Sequence, residues 1–213
     1  SYARVHEGES GKTEMWVVVH AAPGAELIYG VKKGVTREKF ATAIAAGDTE
    51  RYLHRVLVKT GDVIFVPTGA IHALGPGILV AEIQQNSDTT YRIYDWRRPR
   101  PLHIEKALEV LDFALVEPQP LQPALLPNAL TPTEVIGESR YFRTERLRLA
   151  AGQSWTGKTD GRTLEIWGVL GGEATLQWAG EPVPLAAVSW VLVPAALGDF
   201  RITAAQDATL LRV

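Results

Sequence analysis

Between Gly61 and Arg92 the chain sets an imidazole, a carboxylate and a guanidinium among apolar segments: His72, Glu82 and Arg92. Gly61, Pro67, Gly69 and His72 follow the spacing G-x5-P-x-G-x2-H. Val63 to Val66 are β-branched or aromatic and read as a short buried strand. The Pro and Gly that follow read as a tight turn delivering His72 to the start of the next strand. Ile78 to Gln84 reads as a further strand carrying Glu82, and a polar run leads on to Arg92. Upstream, Lys12 stands two residues before Glu14. In an extended segment both side chains leave one face, which brings the ammonium to whatever the carboxylate binds. Carboxylate oxygen plus imidazole nitrogen suits a divalent ion such as Zn2+, with Glu14 and His72 as the ligand pair. A catalytic zinc takes about three protein ligands, so this pair requires at least one more. The plain alternatives are a surface carboxylate for Glu14, a hydrogen-bonded turn histidine for His72, and an ion pair with Arg92 for Glu82.

The elements that must hold these residues are mostly strands. Met15 to His20 is a β-branched run suited to burial, and the Pro23-Gly24 turn before Glu26 to Gly30 predicts a hairpin. From Thr36 the period changes: Phe40, Ala43, Ile44 and Gly47 fit one helical face with Thr36 as N-cap and a C-terminal glycine. Arg55 to Lys59 returns to strand. After Tyr91 to Asp95 comes the basic corner WRRPRP, then a helix over about 103–113 with Ile104, Leu108 and Leu111 on one face. Pro118 to Pro132 holds five prolines without periodicity and reads as a linker. From Glu134 to Val213 strand-like segments alternate with Gly and Asp turns, a second all-β unit.

The two halves compare directly. Pro194 ends VSWVLVP as Pro67 ends VIFVP, and Glu165 stands ahead of it as Glu14 stands ahead of Pro67. The Glu-to-Pro interval is 53 residues in the first half and 29 in the second, so the helical region near 35–55 reads as an insertion. Asp199 stands five residues after Pro194, where His72 stands after Pro67. The second half is therefore expected to lack a metal site and to serve packing.

Composition narrows the function classes. At 213 residues the chain is long enough for one large or two small domains. A net charge of -2, from 22 basic and 24 acidic residues, gives no electrostatic footprint for nucleic acid or an anionic membrane. With no cysteine, disulfide and thiol chemistry are excluded, and a cytoplasmic location is expected. No apolar run reaches the roughly 18 residues that a membrane span needs. The opening SYARVHEGESG carries neither an initiator Met nor a signal-peptide core, which is expected of a chain that begins partway into a longer protein.

The spacing around His72 resembles the second motif of the cupins, small antiparallel β-barrels that hold a metal inside. Taken in order, GKTEMW (Gly11 to Trp16), PTGAIHAL (Pro67 to Leu74) and EIQQNSDTTYRIYD (Glu82 to Asp95) resemble the type I mannose-6-phosphate isomerases in their short bacterial form. The likeness covers the first 115 residues and implies an all-β fold of two cupin jelly-roll barrels. It gives a metal-binding cupin domain over 1–115 with the helical insertion, a Pro-rich linker over 116–133, and a degenerate second cupin over 134–213. It implies one Zn2+ per chain held by Glu14 and His72, with the remaining ligands upstream of Ser1; His6 aligns with a loop histidine instead. Glu82 matches a carboxylate assigned to proton transfer, Arg92 a catalytic arginine, and Lys12 lies beside the metal. Arg97, Arg98 and Asn86 are the candidate contacts to substrate, since guanidinium suits phosphate. The implied reaction interconverts mannose 6-phosphate and fructose 6-phosphate through an enediol, with a small-molecule sugar phosphate as the partner. The alternative is a non-catalytic sugar-binding or regulatory bicupin. An oxygenase-type cupin would draw several histidines from one H-x-H motif, which this sequence does not contain.

Overall fold

The computed structural model describes residues 2–96, 98–126 and 131–213. It divides into two compact units, Ser1–Leu121 and Gln122–Val213, each built mostly of antiparallel strands. Among the described residues no helix is long and apolar enough to cross a membrane.

The first unit runs α1 (Tyr2–His6), β1 (Glu14–Ala21), β2 (Glu26–Val31), α2 (Arg37–Ala45), a 3-10 turn (Thr49–Tyr52), β3 (Leu53–Leu57), β4 (Val63–Val66), β5 (His72–Ala73), β6 (Ile78–Gln84) and α3 (Ile104–Val110). Two three-stranded sheets result, ordered β4-β1-β6 and β3-β2-β5. Between them lies a core of Trp16, Val18, Leu27, Tyr29, Val56, Ile64 and Val66. The other side of β2 and β3 packs Ile28, Val31 and Leu53 against Phe40 of α2 and Ala107 of α3. Phe40 is fully buried, and a side chain of that kind contributes roughly 1.5–3 kcal/mol on burial, enough to anchor a nine-residue helix that would not persist alone. Thr36 caps α2 by accepting from the Lys39 backbone N–H at 3.3 Å.

One local expectation fails. The Pro23-Gly24 turn joins β1 and β2, but these strands lie in different sheets and do not form a hairpin. A tight turn reverses the chain equally well within a sheet or between two facing sheets, and core burial on both sheets selects the second.

The second unit comprises β7 (Ala124–Leu125), β8 (Thr133–Glu138), β9 (Arg143–Leu149), β10 (Ser154–Lys158), β11 (Glu165–Gly171), β12 (Ala174–Gln177), β13 (Val183–Leu185), β14 (Ser189–Val193), β15 (Asp199–Ala204) and β16 (Ala208–Arg212). A six-stranded sheet, β14-β11-β16-β9-β8-β7, faces a four-stranded one, β10-β15-β12-β13. Their shared core includes Leu147, Trp167, Leu176, Phe200, Ile202 and Leu210. The two units are thus all-β in the sense expected, with paired antiparallel sheets, and none of the described sheets closes into a barrel.

Candidate active site

Strand alternation sets the site's position. Glu14, Trp16 and Val18 leave β1 on one face, and since Trp16 and Val18 enter the core, Glu14 stands at its end. On β6, Glu82 is the register partner of Trp16, and Gln84 that of Glu14. Beyond β1 the pairing continues, with Gln85 N–H donating to Thr13 O at 3.1 Å and Thr13 N–H donating to Gln85 Oε1 at 2.9 Å. That holds the Lys12 segment extended, and Lys12 Nζ lies 3.2 Å from Glu14 Oε1 and 3.8 Å from Glu82 Oε1.

His72 reaches the same place from the facing sheet. It opens β5, pairs with Tyr29 of β2, and sets its ring edge-on to Trp16 with centroids 5.2 Å apart. The turn before it needs its glycine: Gly69 has φ +92, and a Cβ there would sit 2.7 Å from Val110 O at the end of α3. His72 Nδ1 lies 2.9 Å from Ala70 O. A carbonyl only accepts, so Nδ1 carries the proton and Nε2 is left bare, 3.7 Å from Glu14 Oε2. Burial lowers the His72 pKa and keeps the ring neutral. Burial, and then a hydrogen bond shared with Glu82, push the Glu14 pKa up to about 7 against the pull of Lys12.

A bare imidazole nitrogen and a buried carboxylate oxygen are ligand-type groups. Two donors with bonds of about 2.1 Å to one tetrahedral ion stand about 3.4 Å apart. The 3.7 Å separation is close to that, and too long for a hydrogen bond. Trp16 Nε1, buried beside them, has no hydrogen-bond partner. Glu14 and His72 therefore fit two positions of a metal site, while among the described residues no group of three or more His, Cys, Asp or Glu is arranged to hold a metal ion.

The other candidates are placed elsewhere. Arg92 Nη1 donates to Pro101 O at 3.2 Å and its Nε lies 4.0 Å from Asp95, so Glu82 is partnered by Lys12 and not by Arg92. Asp95 is engaged by Arg100, through Nε at 2.6 Å and through Nη2. Arg98 joins that corner by its backbone, donating to Asp95 O at 2.9 Å. Arg97 lies outside the described residues. Asn86 is exposed. His6 stacks on Tyr2 at 3.9 Å. His103 accepts the Arg92 backbone N–H at its Nδ1, 3.2 Å away.

Sequence reading missed the residues that hold the Lys12 segment down. Glu9 accepts from Ser87 Oγ at 3.3 Å, Asp88 N–H at 3.1 Å and Thr89 Oγ1 at 2.9 Å, and Ser87 Oγ also reaches Ser10 O at 2.8 Å. Of the run QQNSDTT, in which Asn86 was the candidate substrate contact, Gln85, Ser87, Asp88 and Thr89 bind residues 9–13. The signal was the polar run directly after an apolar strand, but nothing local names Glu9 as its target.

No protein-family model matches the chain. The curated mannose-6-phosphate isomerase ManA of Bacillus subtilis (strain 168) is 35% identical over 209 residues, which is 94% of this chain and 64% of that protein. The chain thus spans just under two thirds of that relative's length. The crystal structure of the mannose 6-phosphate isomerase from Bacillus subtilis is similar at a TM-score of 0.86 and 31% identity, covering 99% of this chain and 67% of that one. A solved mannose 6-phosphate isomerase bound with zinc and yttrium shares the fold at a TM-score of 0.72 and 11% identity, covering 94% of this chain and 66% of that one. On the likeness to the solved Bacillus subtilis enzyme, two thirds of which it covers at 31% identity, the chain belongs to the type I mannose-6-phosphate isomerase family.

Proposed function

We propose that this chain forms the working part of a metal-dependent aldose-ketose isomerase that interconverts mannose 6-phosphate and fructose 6-phosphate through an enediol. The observation that carries the reading is the convergence of Lys12, Glu14, Glu82 and His72 at one end of the β1-β6 core. Glu14 and His72 would hold one Zn2+, which supplies positive charge to the sugar oxygens as the oxyanion develops. The zinc-bound neighbour supports that choice of ion. In this reading each unit is a cupin jelly roll, with residues 1–115 holding the metal and 134–213 a degenerate copy, and the protein works in the cytoplasm.

Glu82 is the group assigned to move carbon-bound protons. Its carboxylate takes the C2 proton of the aldose, the electron pair forms the C1–C2 double bond, and the carbonyl oxygen receives a proton. Returning the proton to C1 while the C2 hydroxyl gives one up yields the ketose. Lys12, 3.8 Å from Glu82, is suited to donate to and accept from the two oxygens during these steps. While Glu82 holds the carbon-bound proton and Lys12 has given one up, both groups are neutral, so no unbalanced charge is left on the pair between steps. Arg92 is assigned to the enediolate or the phosphate, and Arg98, Arg97 and Asn86 to substrate contacts.

Exchange of the substrate's C2 proton with solvent deuterium, read by proton NMR, tests the assignment in the full-length protein. Glu82→Gln should keep bound zinc and lose exchange, because an amide cannot accept the proton. Near-normal exchange in that variant would make another group the base.

A further inference from the structure

The second unit repeats the plan that carries the candidate site. Glu14 pairs with Val66 and Trp16 with Ile64 in the first; Glu165 pairs with Val193 and Trp167 with Val191 in the second. Pro67 and Pro194 follow the partner strands. The register shift recurs at the same place, between Val18 and His20 in one and between Val169 and Gly171 in the other. On the remaining neighbour, Trp16 faces Glu82 while Trp167 faces Arg212.

Charge is what changes. Glu165 accepts from Arg212 Nε at 3.0 Å, from Arg212 Nη2, and from Trp167 Nε1 at 2.9 Å. Arg212 Nη1 reaches Glu145 Oε2 of β9 at 3.3 Å, and the guanidinium lies over the rings of Trp155 and Trp167 at 5.1 and 6.0 Å. In the first unit, by contrast, the indole N–H two residues after the glutamate is unpartnered, and the carboxylate turns to Lys12 and His72.

We propose that the second unit is a copy of the candidate metal cradle in which the Arg212 guanidinium takes the cation's place as a fixed, non-exchangeable positive charge. The comparison rests on reading Glu14 and His72 as cation ligands. Guanidinium stays charged at any ordinary pH, carries five donors in a plane, and stacks on aromatic faces, so it can satisfy two carboxylates and two indoles without an ion being taken up. Glu145 is shared with Arg143, whose Nε lies 3.1 Å from its Oε1, so the cradle is one continuous ion-pair network. Asp199, at the station of His72, is exposed and lies 3.6 Å from Lys158, outside that network.

The test is made in a Glu14→Gln, His72→Ala background, so that its outcome is independent of the first unit's metal; zinc content of the unaltered protein reads that other assignment separately. Adding Arg212→Met leaves Glu165 without its counter-charge and should lower the melting temperature by on the order of 10 °C. Millimolar Co2+ should restore several degrees in this variant, should not do so in the background protein, and should lose its effect when Glu165→Gln is added. Arg212→Met with Glu165→Met removes both charges and should recover most of the loss without Co2+. An Arg212→Met protein that melts like its background, or that Co2+ does not stabilise, overturns the proposal. If Arg212→Met does not fold, folding restored by Co2+ supports the proposal and failure of that rescue overturns it.

Discussion

Trp16→Phe and Trp167→Phe make the same cut at matching stations of two similar sheets, and only one of them breaks a hydrogen bond. Trp16 is 4% exposed and Trp167 1%, so both rings are core. Trp→Phe deletes roughly a third of the heavy atoms lost in Trp→Ala, which costs ~3–5 kcal/mol, so lost packing alone is about 1–1.7 kcal/mol. At Trp167 the substitution also removes the 2.9 Å bond from Nε1 to the Glu165 carboxylate, a charge-assisted bond contributing about 1.5–3 kcal/mol. At Trp16 it removes an N–H that has no partner, a group whose burial costs about 1–3 kcal/mol, so the relief offsets the lost packing. Trp167→Phe should therefore destabilise by about 2.5–4.7 kcal/mol, and Trp16→Phe should fall between a loss of about 0.7 kcal/mol and a gain of about 2 kcal/mol. Urea unfolding followed by circular dichroism, with a chelator present so that no metal occupies the first unit, measures both. Equal losses at the two positions would refute the reasoning, since they would mean that the Trp16 indole N–H is satisfied in solution.

Three further outcomes are expected. His72→Ala in a full-length protein should lose zinc and activity together, and stoichiometric zinc retained on metal analysis would remove His72 from the ligand set. Glu9→Gln should release the strap on residues 9–13 and lower turnover while leaving zinc bound; turnover that equals the parent's would show that Lys12 keeps its place without Glu9. Burial works to raise the Glu134 pKa, but the 2.7 Å bond from Arg146 and the charges of Arg146 and Arg148 outweigh it and hold the pKa below the usual range. A depressed carboxylate stabilises above its unfolded value of about 4.3 and loses that contribution as pH falls through its folded value. The melting-temperature gap between the parent and Glu134→Gln should accordingly be present at pH 7 and close as pH falls below about 4.

The strands and caps were legible because their signals are local. Ile78–Gln84 appears with the bounds its apolar run implies, and Thr36 caps α2 as its position before Phe40 and Ala43 predicts. Lys12 and Glu14 were legible as neighbours, since alternation alone puts them on one face, but that Glu82 joins them depends on the β1-β6 register, which no local signal gives. What was hidden depends on which strands face each other. The β1-β2 turn carries hairpin residues yet spans two sheets, and Ala124–Leu125 forms β7 inside a stretch whose prolines conceal any period. Arg92 read as a neighbour of Glu82 because ten residues of sequence separate them; the chain after β6 turns away, and Asp95 and Pro101 take the guanidinium.

The contacts that assemble the site close very long loops. Glu9 meets Ser87, Asp88 and Thr89 across 78, 79 and 80 residues, and Thr13 meets Gln85 across 72. Each such closure loses chain entropy before any bond repays it, so contacts of this span form slowly and late in folding. Lys12 and Glu14 come from one end of that loop and Glu82 from the other. The chemistry-bearing cluster should therefore be absent from every partly folded state in which β6 has not yet docked on β1, including states with α2 and the β2-β3 pair already formed. Substitutions that slow the docking of β6 should delay the appearance of the site in refolding without changing the finished geometry, a defect that appears in the kinetics of recovery and not in the folded protein.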